Sequence, residues 1–112
     1  MPLLTIRTNI KLKDKLAIAE TASLTVANIL GKPESYVMVH IEDEQCLIFA
    51  GEHNGCALLE LKSLGLAEGS TADFSSRLCE FMHTQTGIDT SRIYIEFSNP
   101  DRHMWGWDKR TF

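Results

Sequence analysis

A proline follows the first methionine and opens the apolar run Pro2-Leu3-Leu4-Thr5-Ile6. Removal of a methionine that precedes so small a residue is routine, and is expected to expose the secondary amine of Pro2 as a base. A base that takes a proton from a carbon alpha to a carbonyl must be neutral near pH 7 and hold the proton until another atom accepts it. An ordinary α-amine has a pKa of about 8 and is only roughly 10% free base at pH 7. A proline amine is more basic still, so the fold must lower it by desolvation or with a nearby cation. Lys32 is the candidate cation. At about 6 Å and an effective dielectric of about 20, one lysine charge is worth ~2.8 kcal/mol, or roughly two pKa units. The same ammonium would attract an anionic substrate and stabilise an enolate oxygen as charge develops. Both residues also have a plain structural reading. Proline is tolerated at the start of a strand because it has no ladder hydrogen to donate, and a lysine just past a helix C-terminus favours the helix dipole.

The elements that must position these residues follow from periodicity. Pro2 to Ile6 reads as a strand and Lys13 to Leu30 as a helix, with Ile18, Ala19, Ala22, Val26, Ile29 and Leu30 linked by spacings of three and four. Gly31-Lys32-Pro33 is a terminator, because Gly31 can take the left-handed cap conformation and Pro33 cannot continue a helix. Tyr36 to Ile41 alternates as a strand, and Cys46 to Phe49 reads as a shorter edge strand. The pattern then recurs: strand Cys56 to Ser63, helix Thr71 to Thr86 with Ser70 as N-cap, Gly87 as stop, and strand Arg92 to Phe97. Shifted by 56 positions, Gly31 falls on Gly87, and Ile18, Ala22 and Val26 fall on Phe74, Leu78 and Met82. Residues 1–112 are therefore expected to form one domain of two pseudo-repeats, about 2–43 and 56–98. The fold class is α+β: a duplicated β-α-β unit, giving a four-stranded mixed sheet with both helices on one face. Nothing in the chain covers the other face, which predicts a homo-oligomer packed through its sheets.

Charge and cysteine usage narrow the function classes. A net charge of -4 leaves no basic stripe for phosphates, so nucleic acid is not an expected partner. No apolar run approaches the ~20 residues that span a bilayer, no leader precedes the first strand, and the expected compartment is the cytoplasm, with non-classical secretion left open. Cys46, Cys56 and Cys79 are odd in number and irregularly spaced, which suits free thiols. Cys46, His53 and Cys56 lack a fourth ligand at standard zinc spacing, so no metal is expected.

The set Pro2, Gly31-Lys32-Pro33, Tyr36, Val39-His40, Cys56-Ala57-Leu58, Ser63-Leu64-Gly65, Arg92-Ile93-Tyr94-Ile95 and Gly106-Trp107, in this order, resembles the macrophage migration inhibitory factor family of the tautomerase superfamily. The resemblance spans essentially the whole chain. It implies a homotrimer whose sheets enclose a central barrel, an active site at each subunit boundary, and cofactor-independent keto-enol tautomerisation of phenylpyruvate-like or dopachrome-like substrates. On that resemblance Pro2 is the base, and Lys32 holds the substrate carboxylate or carbonyl oxygen. Ser63, Leu64 and Tyr36 line the pocket, and Tyr94 enters from the neighbouring subunit. Tyr94 and Glu96 alternate against Ile93, Ile95 and Phe97 and so share a face; an interface tyrosine is the plain alternative for Tyr94. Trp107, beside Trp105, reads equally as pocket wall or interface packing, and Phe112 as the pocket entrance. Two departures stand out: Glu96, where the family commonly has a neutral amide, and Leu59, where its thiol-redox signature needs a second cysteine. A carboxylate at position 96 would repel anionic ring substituents and, if close, raise the Pro2 pKa.

An enzyme with a small keto or enol acid as substrate is the first functional reading. The alternative is a cytokine-type protein that engages a receptor and retains weak turnover. Isomerisation of an unsaturated keto acid on the same scaffold is a third.

Overall fold

In the computed structural model, which describes residues 1–112, Pro2–Thr8 forms β1, with Pro2, Leu4, Ile6 and Thr8 buried on one side. Helix α1 spans Lys15–Leu30, two residues shorter than its periodicity suggests, because Asp14 accepts a hydrogen bond from the Ala17 amide and caps it there. It ends as its sequence dictates. Gly31 sits at φ 64°, its amide donates to the Asn28 carbonyl, and the Lys32 amide donates to the Ala27 carbonyl at 3.0 Å. These two bonds close a Schellman turn. An added Cβ at Gly31 meets nothing within 4 Å, so the demand for glycine there is purely conformational.

Strand β2 (Met38–Glu42), β3 (Ala57–Ser63), α2 (Thr71–Thr86) and β4 (Ile93–Ser98) complete two β-α-β units. The sheet order is β2-β1-β3-β4, with β1/β2 and β3/β4 parallel and the central β1/β3 pair antiparallel. All six residues matched by the 56-position shift are buried: Ile18, Ala22 and Val26 in α1, and Phe74, Leu78 and Met82 in α2. They pack on Leu4, Ile6, Leu59 and Leu61 of the central strands in one contiguous core. No helix is long and apolar enough to cross a membrane.

Three local expectations are corrected. Tyr36 lies in a 3-10 turn, Glu34–Tyr36, so β2 begins only at Met38. Ser70 precedes α2 but makes no side-chain capping bond. Cys46 to Phe49 forms no strand; Phe49 and Glu52 make one isolated bridge around Ala50 and Gly51, both at positive φ. Carbonyls that a ladder would have used are taken by side chains. Asn9 Nδ2 donates to Leu47, His53 and Asn54, and the Arg92 guanidinium donates to Phe49, Glu52, Asn54 and Gly55. A final ribbon pairs β5 (Gly106–Trp107) with β6 (Arg110–Thr111) in the tail.

Asp43, just after β2, ties this loop to the start of α1. Its carboxylate accepts from the Leu12 amide at 3.0 Å and from Lys15 Nζ at 3.1 Å. Those bonds, the Leu12 amide first, hold its pKa below the usual carboxylate value. A carboxyl depressed in the folded state contributes stability that is complete above its unfolded pKa and is lost as pH falls through the folded one. Urea melts of wild type and Asp43→Asn should therefore differ most at neutral pH and converge below the ordinary value of 3.8.

Candidate active site

The register of the central strands assembles the chain start with one cation. Pro2 pairs directly with Ser63, the last residue of β3. Lys32, tethered by the Schellman turn at the end of α1, extends its ammonium to the same spot: Nζ donates to Ser63 Oγ at 2.9 Å and to the Leu64 carbonyl. Both acceptors are neutral and both residues are buried. An ammonium has three donors, so two bonds leave one for a further acceptor. No carboxylate lies within salt-bridge distance of Lys32 to offset its charge.

Beside this cluster lies a cavity of about 320 Å³ walled by Met1, Leu3, Tyr36, Met38, Trp105, Gly106 and Trp107. Tyr36 meets Trp107 edge-on at 6.1 Å, and Phe112 lies parallel to Trp107 at 5.6 Å. One end of the protomer thus gathers Pro2, Lys32, Ser63, Leu64, Tyr36, Trp107 and Phe112. A larger cleft of about 420 Å³, between Ile10–Ile18 and Gln85–Thr86, holds no comparable chemistry. Its one carboxylate, Asp14, is committed to capping α1.

Tyr94 and Glu96 do share a face, as their alternation requires, but not this end. Tyr94 pairs with Leu58, which pairs with Arg7, five residues along β1 from Pro2. At 3.4 Å per residue that is about 17 Å. Tyr94 is 65% exposed and meets the Phe49 ring at 4.8 Å, in an apolar pocket with Leu47, Ile48 and Leu58. Glu96 pairs with Glu60 and through it with Thr5, also displaced from the Pro2 row. Neither residue reaches the cavity of its own chain.

Electrostatics identify a residue that periodicity could not. With Met1 in place, the chain-start amine has its pKa lowered by burial first, then by Lys32, then by Arg102. Lys32 is lowered too, by burial and by Arg102. Arg102 opens a 3-10 turn, Arg102–Met104, and sequence reasoning assigns it no role. Both cations disfavour a proton on the amine.

The chain matches the family described as "Macrophage migration inhibitory factor (MIF)" over residues 1–112. It is 40% identical to a macrophage migration inhibitory factor homolog of Trichinella spiralis over 114 residues, covering 100% of both chains. To the Xenopus tropicalis macrophage migration inhibitory factor it is 31% identical, over 100% of this chain and 99% of that one. Among solved structures, it is similar to the Trichinella spiralis factor with a TM-score of 0.93 and 38% identity, covering 98% of this chain and 99% of that one. A homologue from Prochlorococcus marinus gives a TM-score of 0.93 at 32% identity, covering 98% of each.

Two outcomes test the site as built. In protein retaining Met1, Lys32→Met and Arg102→Met should each raise the titration of the chain-start amine toward its ordinary 8.0, as read by NMR. Gly31→Ala, which forces a side chain into the left-handed region, should lower the unfolding free energy by about 1 kcal/mol in urea melts.

Proposed function

Because the chain belongs to the macrophage migration inhibitory factor family, within the tautomerase superfamily, we propose that it is a cofactor-independent keto-enol tautomerase acting on phenylpyruvate-like or dopachrome-like substrates, with Pro2 as base once Met1 is removed. The observation that carries this reading is the Lys32 ammonium, held by Ser63 and Leu64 beside the strand position of Pro2. The amine takes a proton from the carbon alpha to the carbonyl. The electron pair moves into the carbon–carbon bond, and the carbonyl oxygen gains negative charge near Lys32, where a free N–H can donate a hydrogen bond to it. The proton held on nitrogen then returns to that oxygen, so nothing is gained or lost overall.

The site is completed between subunits. The exposed face of the sheet carries Arg7 bridging Glu42 at 3.4 Å and Glu60 at 3.6 Å, with Tyr94 projecting uncovered. A homotrimer built on that face brings Tyr94 of the partner subunit to the cavity beside Pro2, where its phenol can hydrogen-bond a substrate oxygen. The single chain is one domain in this assembly. A second reading, a protein-binding role with residual turnover, draws on Leu16 and Leu24, which stand 70% and 60% exposed on α1.

Phenylpyruvate enol-keto conversion by processed wild type, Pro2→Gly and Lys32→Ala tests the proposal. The base substitution should cost about 100-fold or more in kcat/KM, and Lys32→Ala about 10-fold or more through lost oxyanion stabilisation. Equal rates for all three would remove the enzyme reading. Turnover lost in Pro2→Gly with receptor engagement retained would separate the two roles.

A further inference from the structure

The aromatic wall of the cavity carries a cation that the proton transfer does not use. The Arg110 guanidinium lies over the Trp107 ring, 4.9 Å from its centroid. That placement is built into the backbone. Trp107 and Arg110 are direct cross-strand partners in the β5–β6 ribbon, and the two residues between them, Asp108 at φ 49° and Lys109 at φ 67°, are both left-handed. A two-residue turn with both centres at positive φ is the tight type I′ hairpin turn, which sets the register. The ribbon therefore delivers Arg110 onto Trp107 specifically. The same Trp107 ring meets Tyr36 and Phe112.

The charge of Arg110 is uncommitted. Neither Arg110 nor Arg102 has a carboxylate within salt-bridge distance, although Asp101 and Asp108 are near in sequence. The last twelve residues hold three Lys or Arg against two Asp, in a chain of net charge -4. An acidic protein thus presents two unpaired cations near one aromatic-walled cavity: Arg110 on its Trp107 wall, and Lys32 at Ser63, the strand partner of Pro2, whose chain neighbours Met1 and Leu3 line it. A guanidinium resting on a ring keeps its planar fork of N–H donors, which matches a carboxylate bidentately.

We infer that Arg110, carried on Trp107, is a specificity-determining residue that receives a second anionic group, a carboxylate borne on the aromatic ring of an arylpyruvate substrate, so that aromatic dianions are preferred over phenylpyruvate itself. This rests on the tautomerase reading above: Lys32 takes the keto-acid end, the Tyr36 and Trp107 wall takes the ring, and Arg110 takes the distal charge. The competing occupant of Arg110 is Glu96 of the partner subunit, which would instead make this an ion pair of the assembly.

The test compares 4-carboxyphenylpyruvate with phenylpyruvate as kcat/KM ratios in wild type, Arg110→Lys and Arg110→Met, the last keeping an apolar stem over Trp107. Wild type should favour the dianion by about tenfold, chiefly through KM, equivalent to roughly 1.4 kcal/mol. Arg110→Met should bring the ratio close to one, Arg110→Lys should keep part of it, and added salt should erode it. An unchanged ratio in Arg110→Met overturns the inference, as does a wild type with no preference for the dianion whose assembly is loosened alike by Arg110→Met and Glu96→Gln. If neither acid is turned over, the tautomerase reading has failed, and terephthalate, a non-reacting dianion, decides this one by tryptophan quenching. A Kd about tenfold weaker in Arg110→Met supports it, and equal Kd values contradict it.

Discussion

A lysine ammonium partly withdrawn from water needs acceptors, and the choice of acceptors determines what its charge can do afterwards. Lys32 is held by the Ser63 hydroxyl and the Leu64 carbonyl, both neutral, with no carboxylate in reach. A carboxylate partner would have stabilised the ammonium more and cancelled its field. Two neutral acceptors keep it in place while its charge still bears on the chain start, whose amine is shifted downward by burial first and then by Lys32. The rest of the fold serves that placement. Gly31 turns the chain so that the Lys32 amide locks onto the last turn of α1. The antiparallel pairing of β1 with β3 puts Pro2 opposite Ser63. Loss of either leaves a cation near a strand but no tuned amine.

The same register separates Tyr94 from the Lys32 cluster within one chain. Going along β1 from Pro2 to Arg7 leads, rung by rung, from the buried Lys32 cluster to the exposed Tyr94 edge. A small molecule cannot span both ends. The helices cover one face of the sheet and the core is filled from that side, while the opposite face keeps Met38 and Tyr94 exposed next to the Arg7 ion pairs. An open sheet face with mixed apolar and paired ionic groups is what association between copies would cover. Under the proposed function, assembly and catalysis are one problem, with the Tyr94 phenol supplied by a neighbour.

Much of this was legible in the residues, and the exceptions have physical causes. Helix ends were readable because Gly31 and Gly87 are the only residues at those points able to take φ 64° and 76° without strain. The duplicated unit was readable because its buried positions recur with the same helical spacing in both halves. Cys46 to Phe49 looked like a strand because it is apolar. It fails to become one because Asn9 and Arg92, distant in sequence, claim its carbonyls. The tail ribbon was invisible because Lys109 takes the second left-handed position of its turn, where glycine is the usual signal. Arg102 left no trace at all: its influence on Lys32 and the chain-start amine depends on a through-space field, which has no period and no motif.

The central claim is that the Pro2 nitrogen, once exposed, is held neutral by burial and by a lysine that no acid quenches. The direct measurement is the titration of that nitrogen by 15N NMR in processed, assembled protein. A midpoint clearly below the α-amine value of about 8 is the expected result; a nitrogen still protonated at and above that value would contradict the account.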